Sequence, residues 1–244
     1  MIAIFKREMR AYFTTSIGYI FLAVALALSA IVLGLTTLLV KSSDTGLYFS
    51  FLLFVMMIIL PVLTMRTFSE EKKTKTEQLL MTAPISTTQM VMGKFLSSFC
   101  MLIIFLVLNC INFIPLFTYA DTTSSIITSV PPNVSMILGN IFAIILVGMS
   151  FIAVGLFVSS LTENQFAAVV MTIAILLGFL LIGIFNGMIS NSVIRTVLSW
   201  LSIYNRYTNF TYAILDIGAL IYYISITGVF LFLTVRVFEA RKYR

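Results

Sequence analysis

The chain has 244 residues, of which 60% are hydrophobic and only 10% are charged, and its mean hydropathy is +1.10. A soluble domain carries about 25% charged residues, so a water-surrounded core cannot bury this much apolar surface and the bilayer must solvate it. The chain has no histidine, the usual metal ligand and neutral-pH proton carrier, and Cys100 and Cys110 lie too far apart along one apolar stretch for a disulfide.

Residues 1–14 predict a short amphipathic helix that lies in the membrane interface. Ile2, Phe5, Met9 and Phe13 recur at helical spacing, and basic residues fall between them. Two interpretations remain open. The helix is either a basic anchor that only fixes orientation, or an elbow that packs against the core and contacts a partner.

Six apolar stretches follow that are long enough to cross a bilayer, which takes about 20 helical residues. In lipid the backbone must satisfy its own hydrogen bonds, and the alternating pattern of barrel strands is missing. The sequence therefore predicts an all-α, polytopic membrane protein with six transmembrane helices. These cover residues 17–40, 48–66, 95–118, 136–159, 166–188 and 218–237.

The basic residues set the orientation of these spans. With the N-terminus in the cytoplasm, twelve Lys and Arg residues fall on inner segments and three on outer ones. This asymmetry fits the positive-inside rule and predicts that both termini are cytoplasmic. It also accounts for the net charge of +6 without a nucleic-acid partner. The inner residues are Lys6, Arg7, Arg10, Arg66, Lys72, Lys73, Lys75, Lys94, Arg236, Arg241, Lys242 and Arg244, and the outer ones are Lys41, Arg195 and Arg206.

The first inner loop, residues 66–94, is the most informative soluble segment. It opens with charges of both signs and continues with an apolar Leu-Leu-Met step before Pro84, which ends any helix there. Ser86 or Thr87 is placed to cap a new helix that runs into the third span. The pattern is typical of a docking element, and equally of a solvated helical hairpin without a partner.

Two further loops carry information. The second inner loop, residues 159–165, is short and polar, and its side chains suit the capping of the flanking helices. On the outer side, residues 189–217 are semi-apolar and rich in aromatic side chains of the kind found at headgroup level. We expect short re-entrant or interfacial helices in that outer segment.

Within the spans, the polar residues at mid-depth are amides and hydroxyls. Asn109 and Asn112 share one helix face, and with Asn140 they are candidates for lining a substrate path. The alternative for each is an interhelical hydrogen bond, which is the interpretation we favour.

The sequence shows no energy source of its own. Ion-driven carriers place ionisable groups in the bilayer, and ATP-driven machines need a phosphate-binding loop. The only Gly-Lys pair, Gly93-Lys94, has Phe95 after it and Thr88 where the first glycine of such a loop belongs. We therefore expect a non-enzymatic chain whose energy arrives through a partner at the inner loops. A channel or secondary carrier, and an assembly component of gliding or secretion machinery, remain alternatives.

One set of motifs extends over nearly the whole chain. It comprises Lys6-Arg7-Glu8, Tyr12-Phe13, Gly18-Tyr19, Glu70-Glu71, Thr76-Glu77-Gln78-Leu79-Leu80, Pro84, Gly93-Lys94, the run 159–165 and Arg236 with the basic tail. Together these motifs resemble the permease subunit of ABC type-2 (ABC-2) transporters, and most closely its gliding-motility-like branch. The resemblance implies a single ABC-2 transmembrane domain over residues 1–244, in the cytoplasmic membrane of a prokaryote.

The resemblance also implies partners. Two permease subunits, identical or related, would pair in the lipid bilayer, and two ATP-binding subunits would dock beneath them. The chain itself would bind no cofactor, because ATP and Mg belong to the ATPase subunits. Family substrates include drugs, peptides, lipids and polysaccharides, and most members export them.

The resemblance finally implies which residues couple the chain to the ATPase. Residues 70–83 would form the main coupling helix, and the loop 159–165 a second, smaller contact. One departure is that Lys75-Thr76 stands where such sequences often carry Gly-Thr. The coupling residues implied are Glu70, Glu71, Thr76, Glu77, Gln78, Leu79, Leu80, Thr162, Glu163 and Asn164.

Overall fold

The computed structural model describes residues 1–39, 45–76, 86–115, 117, 134–185, 202–211 and 216–242, and every regular element in these ranges is helical. The elements are α1 (Ile2–Thr14), α2 (Ile17–Leu33, extended by a π-helical turn, Gly34–Leu38), α3 (Gly46–Thr64), α4 (Arg66–Lys73), α5 (Thr87–Asn109, extended by a 3-10 turn, Cys110–Phe113), α6 (Val134–Leu161), α7 (Gln165–Phe185), α8 (Ile203–Thr211) and α9 (Ile217–Lys242).

Within the described ranges, six helical segments are long and apolar enough to cross a membrane, which confirms the predicted all-α fold with six candidate spans. Spans 2 and 3 run further into the predicted inner loop 66–94 than expected, since α4 continues span 2 and α5 begins at Thr87. The spans are Ile17–Thr37, Gly46–Lys73, Thr87–Phe113, Val134–Leu161, Gln165–Gly183 and Ile217–Lys242. The cytoplasmic placement of both termini stays a prediction.

Span 4, formed by α6, is the central helix of the bundle. It is the most buried of the six spans, and it contacts α3, α4, α5, α7, α8 and α9. Two of its glycines permit this packing: a Cβ atom at Gly148 would overlap the Leu102 side chain, and one at Gly155 would overlap Thr64. Small residues at such crossings let helix backbones approach each other closely in a membrane.

Span 2 is interrupted at Met65, between α3 and α4. Pro61 lies in the last turn of α3 and has no N–H to donate, which weakens the helical ladder just before the break. The short helix α4 then buries Thr67, Phe68 and Ser69 against the bundle and exposes Lys73 beyond them.

One end of the bundle collects several helix ends. It contains α1, α4, the start of α5, the turn between α6 and α7, and the end of α9, which are joined by bonds described in the next subsection. We call it the basic end, because Arg7, Lys72, Lys94 and Arg241 all lie there. The short helix α8 packs on α6 and α7 within the predicted outer segment, of which residues 189–201 and 212–215 lie outside the described residues.

Prediction for Gly155. The variant Gly155→Ala should unfold more easily than Gly178→Ala, by about 1–3 kcal/mol, because the added methyl group overpacks the contact with Thr64. Gly178 is the matched control, since nothing lies within 4 Å of a Cβ placed there. The free energy of unfolding by SDS titration in mixed micelles measures the difference. Thr64→Ala should recover part of the loss, and equal stability of the two glycine variants would contradict the packing described.

Candidate functional site at the junction of three helices

Lys94 is a lysine enclosed by protein two turns into α5. The helix begins after Ser86, whose hydroxyl accepts a hydrogen bond from the Gln89 N–H at 3.3 Å. Only 1% of the Lys94 side chain is exposed. A buried ammonium group is strongly destabilising unless carboxylates and hydrogen-bond acceptors replace the lost water. The residues around Lys94 must therefore supply such partners.

Two carboxylates and one carbonyl supply those partners. The Lys94 Nζ atom lies 2.8 Å from Glu71 Oε2 and 3.4 Å from Glu8 Oε1, and it donates to the Thr67 carbonyl oxygen. It also lies 4.8 Å from the centre of the Phe68 ring, within range of a cation–π interaction. Lys94 thus joins three helices, because Glu8 belongs to α1, Glu71 to α4 and Lys94 itself to α5.

Arg7 closes the arrangement into a ring of alternating charges. Its Nη2 atom lies 2.6 Å from Glu8 Oε1 and 2.7 Å from Glu71 Oε1. Burial lowers the pKa of Arg7, but the hydrogen bonds and negative charges of Glu8 and Glu71 outweigh burial and raise it. We call these four residues, Arg7, Glu8, Glu71 and Lys94, the ion ring. Its two cations and two carboxylates balance, so the formal charge is zero.

The helix α1 is held against α5 by more than the ring. The Tyr12 hydroxyl lies 3.3 Å from Ser98 Oγ, and burial raises the pKa of Tyr12, so the phenol stays neutral at physiological pH. At Gly93 a Cβ atom would come within 3.1 Å of Ile4, so the absence of a side chain there lets α1 approach the α5 backbone.

A second set of bonds connects α4 to the turn after span 4. The Lys72 Nζ atom donates to the Leu161 carbonyl oxygen at 3.3 Å and lies 3.4 Å from Glu163 Oε1. From α9, Arg241 donates to the Ser160 carbonyl oxygen at 2.7 Å. The ends of span 4 and span 6 are therefore bonded to the same region as α4.

A half-open pocket of about 270 Å³ lies beside the ion ring, between α1 and α4. The ring residues Glu8, Glu71 and Lys94 form part of its wall, and Thr76 lines it from the turn that follows α4. That turn contains Lys75 with φ 58°, a left-handed conformation that favours glycine. Lys75 therefore adopts a backbone conformation that a glycine would adopt without strain.

The predicted coupling residues of the first loop fall into two groups. Glu71 belongs to the ion ring, whereas Glu70 accepts two hydrogen bonds from Arg66 one turn earlier, at 2.6 and 3.1 Å. Thr76 lies at the exposed end of the described segment. Glu77, Gln78, Leu79 and Leu80 lie outside the described residues.

The predicted residues of the second loop lie on the other side of α4. Asn164 caps α7, since its Oδ1 accepts from the Phe166 N–H at 3.0 Å, and Thr162 donates to the Val158 carbonyl at 3.4 Å. The interaction of Glu163 with Lys72 brings the loop to α4. The capping expected from the sequence is therefore present together with a contact to α4.

The three intramembrane asparagines lie away from this junction, and each makes a hydrogen bond. Asn109 donates to Tyr48 at 2.8 Å, and Asn112 donates to Ser29 at 3.1 Å, which links spans 1, 2 and 3. Asn112 also donates to Asn109 Oδ1 at 3.0 Å.

Asn140 donates to the Met136 carbonyl at 2.8 Å and accepts from Tyr207 of α8 at 3.4 Å. All three asparagines therefore have the structural role that the sequence favours. Their assignment to a substrate path stays a prediction.

Sequence reasoning missed the importance of Lys94. In the sequence, Lys94 is an inner positive charge, part of an incomplete phosphate-loop pattern and half of the Gly93-Lys94 motif of the resemblance, and none of these indicates a buried ion pair. A usable signal was present, because a lysine followed by an apolar run inside a spanning helix must find a partner or reach the interface. Glu8 and Glu71 were the available carboxylates, but only the packing of α1 and α4 shows that both are used.

Comparison with known protein families agrees with the geometry. Residues 40–238 match the family model described as ABC-2 family transporter protein. The match covers spans 2 to 5 in full and span 6 except for its last four residues, together with α4 and the turn between α6 and α7. Among curated proteins, none matches the chain significantly.

Prediction for Lys94. The variant Lys94→Met keeps the side-chain volume but leaves Arg7, which is half exposed, as the only ring cation for Glu8 and Glu71, and we expect it to lose about 3–5 kcal/mol of stability. Adding Glu71→Gln should recover part of that loss. Unfolding free energy in mixed micelles is the measurement, with Arg236→Met as control: Arg236 pairs with Glu239 at 2.9 Å on the exposed surface, a pair worth less than about 1 kcal/mol. Equal losses in Lys94→Met and Arg236→Met would contradict a stabilising role for the buried Lys94 ammonium.

Prediction for Lys75. A left-handed backbone costs a non-glycine residue about 1–2 kcal/mol, so Lys75→Gly should stabilise the protein by about 1 kcal/mol. Lys75→Ala removes the same side chain but keeps the strain, and it should leave stability unchanged. Unfolding curves of the two variants and the parent protein test this. A gain for alanine equal to that for glycine would show that the side chain, and not the backbone, matters.

Proposed function

The chain belongs to the ABC-2 transporter family, and from that premise we propose that it is one permease subunit of an exporter in a prokaryotic cytoplasmic membrane. It is the non-catalytic, multi-pass membrane domain of such a transporter, and ABC-2 permeases act with ABC ATPase subunits. The proposal adds that a separate ATPase subunit docks on the basic end. ATP and Mg would be held by that subunit, and the motifs at both inner loops favour the gliding-motility-like branch.

The observation that carries the proposal is the way α4 is fixed. Its inner face is buried, and the ion ring bonds it to α1 and α5, while Lys72 bonds it to the turn after span 4. A displacement of α4 would therefore move or strain its bonds to three other helices, α1, α5 and α6. A connector between two spans has no need of such an arrangement, whereas a helix that receives force from a partner does.

The same bonds suggest how the coupling residues divide their work. Glu70 and Glu71 are occupied by Arg66, Arg7 and Lys94, so we assign them to holding α4 in place. The exposed stretch 73–76 remains as the described part of the surface that an ATPase would contact. For Glu77, Gln78, Leu79 and Leu80, the docking role rests on the sequence motif alone.

The second inner loop would supply the smaller ATPase contact. Two-thirds of the Glu163 side chain, 68%, is exposed even though it lies near Lys72. It is therefore accessible to a partner on the same side as α4. Thr162 and Asn164 would hold the loop in shape through their hydrogen bonds within α6 and to the start of α7.

A second permease subunit, identical or related, would complete the membrane part. Spans 1, 5 and 6 are much less buried than span 4, and the helix α7, which contains span 5, exposes Phe166, Val170, Leu181 and Phe185. These apolar faces suit lipid or another permease. The elbow α1, held by the ion ring, would move together with the coupling helix rather than act only as an anchor.

Prediction for the ATPase contact. A photoreactive p-benzoylphenylalanine at position 76 should form a cross-link to an ATPase subunit in native membranes, because this position lies at the exposed end of the α4 surface. The cross-linked product is detected as a mass shift of the tagged chain and identified by mass spectrometry through its ATP-binding motifs.

The matched control places the same group at position 134, which is 53% exposed at the opposite end of span 4. It should give no ATPase product. The proposal fails if gentle detergent extraction of the tagged chain recovers no ATPase subunit, or if positions 76 and 134 cross-link to it equally. Transport by the purified chain alone in liposomes would favour a channel instead.

A further inference from the structure

Ser159 is a fully buried serine of the central helix α6, two residues before its last residue, Leu161. Its hydroxyl bonds a neighbouring helix rather than its own. Its Oγ atom accepts hydrogen bonds from the Phe68 and Ser69 N–H groups, each at 3.2 Å, and donates to the Met65 carbonyl oxygen at 3.0 Å. A serine hydroxyl has one proton and two lone pairs. All three are used on the segment where span 2 breaks into α3 and α4.

The neighbouring residue shows how unusual this is. Ser160 Oγ donates to the Phe157 carbonyl of its own helix at 2.6 Å, and Ser150 bonds the Val147 carbonyl in the same way. Serine and threonine in spanning helices commonly make such bonds to the preceding turn. The Ser159 hydroxyl instead inserts into the backbone hydrogen bonds between α3 and α4. Insertion of a side chain in this way is one recognised cause of a helix break.

The packing around Ser159 makes this reach possible. Gly155 lies one turn earlier on the same face of α6, and its missing side chain leaves room for Thr64, the last residue of α3. The α6 backbone and the end of α3 therefore approach closely enough for a short serine side chain to span the gap. A larger residue at either position would separate the two helices.

We infer that Ser159 is a positioning residue that fixes the start of α4 to span 4, so that displacement of α4 by the ATPase passes directly into span 4. This inference rests on the proposed function. It adds which span receives the movement and which side chain transmits it. The Lys72 bonds to Leu161 and Glu163 hold the other end of α4 to the same region, so α4 and the end of span 4 form one body.

Span 4 is suited to pass the movement on. The helix has 28 residues, so it is roughly 42 Å long, enough to cross the bilayer. Near its far end, Asn140 accepts the hydrogen bond from Tyr207 of α8. A shift of the basic end of span 4 would therefore reach α8 through one continuous helix, while span 2 is interrupted at Met65.

The first test measures the bonds themselves by amide hydrogen exchange, with Ser159→Ala compared with Ser160→Ala. Loss of the shared acceptor should speed exchange of the Phe68 and Ser69 amides about fivefold or more, the factor expected for a lost buried hydrogen bond. The Thr74 amide, which donates to the Glu70 carbonyl oxygen at 2.9 Å just after the end of α4, serves as the internal reference and should not change. Unchanged exchange at Phe68 and Ser69, or equal acceleration at Thr74, would contradict a local clamp.

The second test asks whether the clamp transmits movement in the assembled transporter. Spin labels at positions 134 and 217, both exposed at the ends of spans 4 and 6 opposite the basic end, report their separation by pulsed electron resonance. Cys100 and Cys110 are first replaced by serine. In the complex with the co-purified ATPase, trapping with ATP and vanadate should change this distance, and Ser160→Ala should preserve the change.

Ser159→Ala should abolish at least half of that distance change while the ATPase stays bound and continues to hydrolyse ATP. An unreduced change in Ser159→Ala, with the ATPase bound, would overturn the inference and leave the proposed function intact. Failure of the parent protein to retain an ATPase, or to respond to ATP, would overturn the proposed function and the inference with it.

Discussion

The enclosed ammonium group of Lys94 is the constraint on which the basic end of the bundle depends. A lysine that is 1% exposed needs opposite charge close by, and the chain supplies it from α1 and α4 rather than from its own helix. Because the carboxylates of Glu8 and Glu71 are also shared with Arg7, no member of the ring moves without disturbing the others. The helices α1, α4 and α5 are thus held in one arrangement by electrostatic interactions that are stronger around the buried Lys94 ammonium than they would be in water.

This arrangement gives the family assignment a physical content. ABC-2 permeases act with ATPase subunits, so force must enter the membrane domain through a surface that is rigid on its inner side and accessible on its outer side. The helix α4 has both properties: its buried residues pack on the bundle and its last turn is exposed. Ser159 and Lys72 connect the same helix to span 4, the central helix, which contacts most of the others.

Much of the fold could be predicted from the sequence, and part of the site. The six spans follow from apolar length, and Ser86 caps the third one as its residue type and position indicated. Glu71 and Glu163 were both predicted from motifs. In the structure Glu71 lies in α4, and Glu163 lies beside Lys72 of the same helix. A coupling helix was expected over residues 70–83, but the helix in the structure, α4, spans Arg66–Lys73 and is followed by a turn at residues 74–76, where Lys75 has φ 58°. Its start at Arg66 was not predicted, because a charged segment gives no apolar signal although Thr67, Phe68 and Ser69 are buried within it.

The sequence by itself determined that the chain is a helical membrane protein, because in lipid each backbone group must be bonded within its own segment and composition then fixes which segments qualify. It also determined where the charges stand along the chain. Only the tertiary structure decided which of them meet. Lys94 forms an ion pair with Glu8, and Ser159 donates a hydrogen bond to Met65, although each pair lies far apart in sequence and joins different helices. Such pairs depend on how the helices pack side by side. Apolar spans of similar composition could pack in many ways, and side-chain shape and buried polar bonds determine which packing forms.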